Sequence, residues 1–215
     1  MSVIHSDDVP RYRVAGIVLA GGSAKRMGRD KAFERLGSNT LMGAVIARVE
    51  RQVDPLALNI RSNQVTQCRQ FFPSYPTVFD FAEASEIGPL GGVLAGLDWA
   101  KRASAASLAT FPVDTPYIPT TLVHQLVAVQ NTNRDCPIVA TDSQRVHNLC
   151  ALWPLACFAP LRHLVIERGV RSVRQALDWF SAEHCLISAP PHAFLNVNTP
   201  DDLSRAADLA DKEGV

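Results

Sequence analysis

Residues 14–31 read VAGIVLAGGSAKRMGRDK and carry the clearest structural signal in the 215-residue chain. The first part, residues 14–20, is a continuous apolar run, which is typical of a strand buried on both faces of a parallel sheet. The run is too short for a signal peptide or a membrane span. It leads directly into glycines and alternating cations, so we expect a buried strand that ends in a tight, positively charged loop.

Apolar residues over residues 40–130 alternate between helix and strand spacing. After Thr40, which suits a helix N-cap, apolar side chains recur at three- and four-residue steps, and the same spacing follows Leu90 and Leu122. Continuous apolar runs predict the intervening strands at residues 56–60, 77–79 and 107–113. Strands that alternate with helices predict an α/β fold, with an open, mostly parallel, Rossmann-like sheet and helices on both faces.

The remaining residues predict shorter elements and a well-marked last helix. Strands are expected at residues 138–140, 149–153, 186–187 and 194–197, and helical structure at residues 161–173. Thr199 suits an N-cap and Pro200 the first helical position, and Asp201 and Asp202 match the positive end of the helix dipole. We expect a single domain over residues 1–215.

Composition excludes several classes of protein. The chain has 21 Lys and Arg residues against 21 Asp and Glu residues, so it lacks the basic surplus typical of proteins that bind duplex DNA. Its 47% hydrophobic and 20% charged residues are typical of a folded domain. The five cysteines form no C-x-x-C pair, and the six histidines show no zinc-type spacing. We expect reduced cysteines in a cytoplasmic protein, with no nucleic-acid partner and no membrane partner.

The loop at residues 19–31 has the composition of a phosphate-binding site. It holds three glycines, two lysines and two arginines in 13 residues. Glycines let backbone N–H groups approach a phosphate, and the cations neutralise its charge, so a triphosphate is a natural ligand. Neither the P-loop pattern nor the G-x-G-x-x-G dinucleotide fingerprint is present. A solvated turn is the alternative, but open α/β sheets bind ligands beyond the carboxyl ends of their strands. We expect functional residues in the loops after Leu19, Ile60, Phe79 and Val113.

The loop pattern L-A-G-G-x-x-x-R-M-G-x-D-K resembles the signature of the molybdenum cofactor guanylyltransferases, which belong to the nucleotidyltransferases of glycosyltransferase-A-like fold. The resemblance extends along nearly the whole chain. Further pieces that resemble the family follow in order: Asn59, Asp80, residues 88–92, residues 114–119 and residues 196–200. The pair Gly21-Gly22 resembles the guanylyl branch rather than the cytidylyl branch.

The resemblance implies a reaction in which GMP is transferred from GTP to the phosphate of molybdenum-loaded molybdopterin. The products are molybdopterin guanine dinucleotide and pyrophosphate. Such a displacement depends on positioning and charge neutralisation more than on covalent help from the protein. The resemblance implies that Leu19, Ala20 and Gly21 lie along the nucleotide, and that Arg26 and Lys31 hold its phosphates. It also implies a nucleotide-binding half at residues 1–130 and an acceptor-binding half at residues 131–215.

Asp114 is the candidate metal ligand. It follows a buried strand directly, so its carboxylate is expected at the sheet edge, where Mg²⁺ joined to phosphates needs an oxygen ligand. A turn-initiating role before Thr-Pro is the alternative. The resemblance favours the metal role and a catalytic set of Arg26, Lys31 and Asp114. It also makes Asn59 and Asp80 nucleotide-binding residues, and which of them contacts the base stays open.

Four residues are candidates for binding the pterin acceptor. Asn196 and Asn198 alternate on a predicted strand and would point to one face, although Asn198 also suits a turn before the last helix. Arg171 and Arg174 are three residues apart and could share one helix face.

Two other functions stay open as alternatives. The loop and Asp114 would serve a cytidylyl or sugar-phosphate nucleotidyltransferase equally well. The second alternative is a non-catalytic nucleotide-binding or cofactor-carrier protein, which would not need Arg26, Lys31 and Asp114 together.

The resemblance also implies partners among proteins that insert molybdenum and proteins that mature molybdoenzymes, with the chain itself a monomer or a weak oligomer.

Overall fold

Strands and helices alternate along the chain as the apolar spacing predicts. The computed structural model describes residues 13–21, 30–84, 87–130 and 135–213. The strands in these residues are β1 (Val14–Leu19), β2 (Arg35–Leu36), β3 (Asn39–Thr40), β4 (Leu56–Asn59), β5 (Thr77–Val78), β6 (Ser107–Pro112), β7 (Ile138–Thr141), β8 (Val146–Pro154) and β9 (Glu183–Leu186). The helices are α1 (Leu41–Val49), α2 (Val65–Phe71), α3 (Pro89–Arg102), α4 (Leu122–Gln130), α5 (Phe158–Ile166), α6 (Val173–Trp179) and α7 (Pro200–Glu213).

One sheet joins seven of these strands in the order β5-β4-β1-β6-β8-β7-β9. Strands β4 and β6 pair in parallel with β1 on its two sides, and β5 pairs in parallel with β4. At the other edge of the sheet, β9 pairs in parallel with β7. Strand β8 is antiparallel to both β6 and β7. The predicted open, mostly parallel α/β sheet is therefore confirmed. The sheet also continues from the first 130 residues into the rest of the chain through the β6–β8 pairing.

The sheet separates two hydrophobic cores, one on each face. Successive residues of a strand point to opposite faces, so Val18 belongs to the core that includes α1 and α4. Its neighbour Ile17 belongs to the core that includes α3, α5 and α6. Helices thus cover both faces, and β1 is buried from Ala15 to Leu19 as its continuous apolar run predicts.

One predicted element is only partly confirmed, and another is wrong. Residues 161–173 form parts of two helices, because the backbone turns through Gly169 at φ +68°, and Ser172 then caps α6. Residues 194–197 are not a strand, since they pair with no neighbouring strand. Val197 instead donates one backbone hydrogen bond to Asp114 O over 2.8 Å.

The helix caps agree with the sequence. Thr40 accepts a hydrogen bond from the Gly43 backbone N–H over 3.1 Å at the start of α1. Thr199 accepts one from the Asp202 backbone N–H over 3.1 Å at the start of α7, and the Asp202 carboxylate accepts the Thr199 N–H in return. Within the described part of the chain, no helix is both long and apolar enough to cross a membrane.

Candidate active site

Neighbouring strands of the sheet end at the same level, which brings the loops that follow them together. In the parallel registers, Leu19 of β1 pairs with both Asn59 of β4 and Pro112 of β6. These strand ends enclose a pocket of about 180 Å³. The described residues that line the pocket are Leu19, Ala20, Gly21, Asp30, Lys31, Ala32, Asn59, Asp80, Gly88, Pro89, Pro112, Val113, Asp114, Leu149 and Asn198. The pocket lies where open α/β sheets bind their ligands.

Lys31 is the cation at the centre of this pocket. Asp30 caps a 3₁₀ turn at Lys31–Phe33 by accepting the Ala32 backbone N–H over 3.3 Å. The Lys31 ammonium donates to Asp114 Oδ2 over 3.2 Å and to Asn198 Oδ1 over 2.8 Å. Its side chain is 14% exposed and that of Asp114 is 27% exposed. Three segments that are far apart in sequence therefore meet at one ammonium group.

Asp114 is held from both its backbone and its side chain. The Thr115 hydroxyl lies 3.3 Å from Asp114 Oδ1 and 2.8 Å from Asn196 Oδ1, so these two oxygens share its single proton. The Asp114 carbonyl accepts the Val197 N–H over 2.8 Å. Asn196 therefore contacts Thr115, the neighbour of Asp114, and Asn198 contacts Lys31, although the segment that carries both asparagines is not a strand.

Asn59 and Asp80 form a second polar pair at the other side of the pocket. Asn59 is 3% exposed, and its amide nitrogen donates to Asp80 Oδ1 over 2.8 Å and to Val78 O over 3.3 Å. Burial raises the pKa of Asp80, while the hydrogen bond from Asn59 and the charge of Arg61 oppose that rise. The pocket therefore contains a carboxylate that Asn59 holds in place.

The start of α3 closes this side of the pocket. Gly88 precedes the helix at φ +78°, a conformation that favours glycine, and Pro89 takes the first helical position. At Gly92 a Cβ atom would lie 2.4 Å from Asn59 Oδ1 and 2.9 Å from Leu19 Cδ2. The helix can approach the strand ends this closely only because Gly92 has no side chain.

Gln64 is a pocket-supporting residue that the motifs did not identify. Its side chain is 2% exposed, and its amide nitrogen lies 2.9 Å from Asp30 Oδ1 and 3.3 Å from Ala20 O. Its amide oxygen accepts the Arg61 backbone N–H over 2.7 Å. Gln64 lies in the loop after Ile60, where functional residues were expected, but no recognisable spacing distinguishes it there.

Two predicted site residues do not line the described part of the pocket, and a third cannot be placed. Arg26 lies outside the described residues. Arg171 and Arg174 are absent from the described lining, and they do not share a helix face, because Arg171 precedes the Ser172 cap of α6. Arg174 is 78% exposed and lies 3.9 Å from Asp178.

The cysteines are not among the described residues that line the pocket. All five cysteines are buried and free. Burial raises the pKa of Cys150, and the nearby Asp114 carboxylate raises it further, so the thiol stays protonated. In residues 13–21, 30–84, 87–130 and 135–213, no group of three or more His, Cys, Asp or Glu side chains could hold a metal ion.

The Rossmann-like sheet and the pocket at its strand ends are the features expected of an α/β nucleotidyltransferase, and comparison with known families shows that class. The model of the MobA-like NTP transferase domain family matches residues 16–204, and the chain belongs to that family. The resemblance indicated by the loop motif is therefore confirmed.

Individual relatives agree over nearly the whole chain. The molybdenum cofactor guanylyltransferase of Mesorhizobium japonicum is 35% identical over 206 residues, which cover 93% of this chain and 97% of the relative. That of Cereibacter sphaeroides is 37% identical over 206 residues, which cover 94% and 99% respectively. The crystal structure of molybdopterin-guanine dinucleotide biosynthesis protein A from Archaeoglobus fulgidus has the same fold. Its TM-score is 0.70 at 18% identity, and the match covers 93% of this chain and 99% of that one.

Proposed function

We propose that the protein transfers GMP from GTP to the phosphate of molybdenum-loaded molybdopterin, which forms molybdopterin guanine dinucleotide and releases pyrophosphate. The observation that carries the proposal is the meeting of Lys31, Asp114 and Asn198 in a pocket at the strand ends. The proposal is supported by the names of relatives that are 35% and 37% identical to the chain.

Charge neutralisation is the main task of the protein in this reaction. An oxygen of the acceptor phosphate forms a bond to the α-phosphorus of GTP, and the bond from that phosphorus to the α,β-bridging oxygen breaks. The electron pair of the broken bond leaves with pyrophosphate, so negative charge grows there. Lys31, which is largely buried, offsets that charge more strongly than an exposed lysine could. Arg26 is the second cation of the proposal, on the strength of the motif.

Asp114 fits the requirements of a magnesium ligand. Its carboxylate lines the pocket and is partly exposed, and Mg²⁺ usually takes only one or two protein carboxylates, with water and phosphate oxygens completing its shell. Bound magnesium would supply further neutralisation of the triphosphate charge. The hydroxyl of Thr115 and the backbone N–H of Val197 fix Asp114 from two other directions.

Asp80 is the group that we assign to the guanine base. Both contacts of the Asn59 amide nitrogen are made within the protein, to Asp80 and to Val78 O, so this nitrogen orients Asp80. A carboxylate can accept the N1–H and the 2-amino group of guanine, which cytosine and adenine do not present together. Leu19, Ala20 and Gly21 contribute the backbone beside the nucleotide.

Asn198 is the acceptor-side residue with the strongest structural support, because it lines the pocket beside Lys31. Asn196 joins it through Thr115. Arg174 lines a separate recess of about 500 Å³ and, with Arg171, stays a proposed contact of the pterin phosphate. We also propose that residues 1–130 bind the nucleotide and that residues 131–215 bind the acceptor, as the family resemblance implies.

The proposal also covers the cellular location, the oligomeric state and the protein partners. Free, buried cysteines fit a reducing compartment, and we assign the protein to the cytoplasm. A monomeric or weakly oligomeric state, and partners that insert molybdenum or mature molybdoenzymes, stay predictions from the sequence.

The decisive experiment offers the molybdenum-loaded pterin phosphate with GTP, CTP and ATP together. Consumption of GTP with release of pyrophosphate is the expected result, and addition of EDTA should stop it. Consumption of CTP alone would refute the guanylyl assignment. Binding of nucleotide with no pyrophosphate release would support a carrier instead.

Lys31→Met tests the role of the central cation. We expect kcat to fall at least about a hundredfold, as for the loss of other charge-stabilising groups, while the protein stays folded. Lys101→Met is the control, because Lys101 is an exposed lysine of α3 that lies over the Phe158 ring of α5. Equal kcat values for the two variants would refute the role of Lys31.

A further inference from the structure

Gln64 makes three hydrogen bonds that connect three separate segments of the chain. Its nitrogen contacts Ala20 O and Asp30 Oδ1, and its oxygen accepts the Arg61 N–H. The orientation of the amide follows from its partners, since a carbonyl and a carboxylate only accept hydrogen bonds and a backbone N–H only donates. A buried amide with all three contacts satisfied holds its neighbours in one geometry.

These contacts lead directly to the central cation of the pocket. Ala20 follows the last residue of β1, so it marks the position of the sheet edge. Asp30 caps the 3₁₀ turn whose first residue is Lys31. Through Asp30, Gln64 therefore determines where that turn begins relative to the sheet edge, and hence where the Lys31 ammonium meets Asp114. A second contact supports this arrangement, because Arg61 Nε lies 2.5 Å from Gly21 O.

We propose that Gln64 is a positioning residue for the transfer reaction, which holds Lys31 against Asp114 by fixing Asp30 to the end of β1. The inference about catalysis rests on the proposed function. The inference about the position of Lys31 does not, since it follows from contacts within the protein.

A second glutamine allows this role to be separated from general stabilisation. The Gln52 amide nitrogen donates to Arg48 O over 2.8 Å and Pro119 O over 3.0 Å, and its oxygen accepts the Val123 N–H over 2.9 Å. Gln52 therefore makes three hydrogen bonds, as Gln64 does, but all three are to backbone groups, and it is not among the described residues that line the pocket. Gln52→Met should lower stability, because it removes three hydrogen bonds, without moving Lys31.

The test compares Gln64→Met, Gln64→Glu, Asp30→Ala and Gln52→Met with the unaltered protein. Gln64→Glu keeps the shape of the side chain and its oxygen toward Arg61, but it puts a second carboxylate against Asp30. Asp30→Ala breaks the same connection at a half-buried residue, which provides a test if the Gln64 variants fail to fold. The first readout is the acetylation rate of Lys31 relative to Lys101, measured by mass spectrometry on the protein without substrate. The second readout is kcat and KM for GTP, measured by pyrophosphate release.

We expect the Lys31 to Lys101 labelling ratio to rise about tenfold or more in the Gln64 and Asp30 variants, as for the loss of one charged hydrogen bond. The ratio should not change in Gln52→Met. In the Gln64 variants kcat/KM should fall by about tenfold or more, mainly through kcat, because Lys31 acts on charge that grows during the reaction. A labelling ratio within about twofold of the unaltered protein in every folded variant at Gln64 and Asp30 would overturn the inference, since ordinary surface substitutions have effects of that size. If the unaltered protein releases no pyrophosphate from GTP while the labelling shift is observed, the proposed function fails and the positioning of Lys31 by Gln64 stands.

Discussion

Gly92 lies in the first turn of α3, where the helix meets the end of β4, and Gly92→Ala crowds one specific side chain. The new Cβ atom would lie 2.4 Å from Asn59 Oδ1 and 2.9 Å from Leu19 Cδ2. Ordinary contact begins at 3.4 Å, so the Asn59 amide must move by about 1 Å. Leu19 can rotate its terminal methyl group away, whereas Asn59 is held by its hydrogen bonds to Asp80 and Val78.

The size of the effect follows from the contact that is lost. A shift of 1 Å removes the 2.8 Å hydrogen bond from Asn59 to the Asp80 carboxylate. Hydrogen bonds to charged groups contribute about 1.5–3 kcal/mol, which corresponds to about 10- to 100-fold in affinity. A displaced Asp80 also loses a charged hydrogen bond of this kind to guanine under the proposed function, so we expect KM for GTP to rise by about 10- to 100-fold. Overpacking costs about 1–3 kcal/mol of unfolding free energy, and alanine recovers about 1 kcal/mol of that through its higher helix propensity.

Gly96→Ala is the matched control on the same helix. Its Cβ atom would lie 2.8 Å from Leu108 Cδ2 and 3.0 Å from Ile17 Cδ1, in the core and away from the pocket. Thermal unfolding should show similar losses of stability in the two variants, while pyrophosphate release over a range of GTP concentrations should show a raised KM only in Gly92→Ala. A KM for Gly92→Ala within about twofold of the control, a ratio typical of unrelated substitutions, would refute the reasoning.

Two further predictions concern pH and stability. The backbone N–H of Asn198 donates to the Asp202 carboxylate and lowers the pKa of that carboxyl group. The ionised carboxylate therefore stabilises the fold at any pH above 3.8, the ordinary pKa of Asp. This stabilisation is lost as the pH falls through the lowered pKa of the folded protein. The Tm advantage of the unaltered protein over Asp202→Ala should therefore be present at neutral pH and shrink under acid; a constant difference would contradict it. Burial lowers the pKa of His147, although Asp142 partly opposes this, so protonation disfavours the folded state below the unfolded histidine's pKa of 6.5. Between about pH 7 and about pH 5 the unaltered protein should lose more Tm than His147→Gln, and equal losses followed by circular dichroism would contradict the expectation.

Much of the architecture could be predicted from local sequence. The apolar spacing predicts β1, β4, β6 and the helices that cover them, because an element's period determines which side chains one face can bury. The two failures have the same kind of cause. Residues 161–173 have helical spacing on both sides of Gly169, and residues 194–197 are mostly apolar but pair with no strand of the described residues. Apolar spacing registers neither cause: the left-handed backbone at Gly169 interrupts the first segment, and the second has no described strand beside it to pair with.

The candidate site divides in a similar way. The loop composition and the position of Asp114 after a buried strand were enough to predict a pocket at the sheet edge, whose phosphate-binding role stays a prediction, and the family resemblance followed from the same residues. The pairing of Lys31 with Asn198, 167 residues away, has no local signal, and neither does the contact of Gln64 with Asp30. Hydrogen bonds require their atoms to lie within about 3 Å of each other, and strand order and register set those distances between distant segments. Local spacing therefore specified the elements and the chemistry of the loop, whereas the packing of the sheet determined which side chains meet in the pocket.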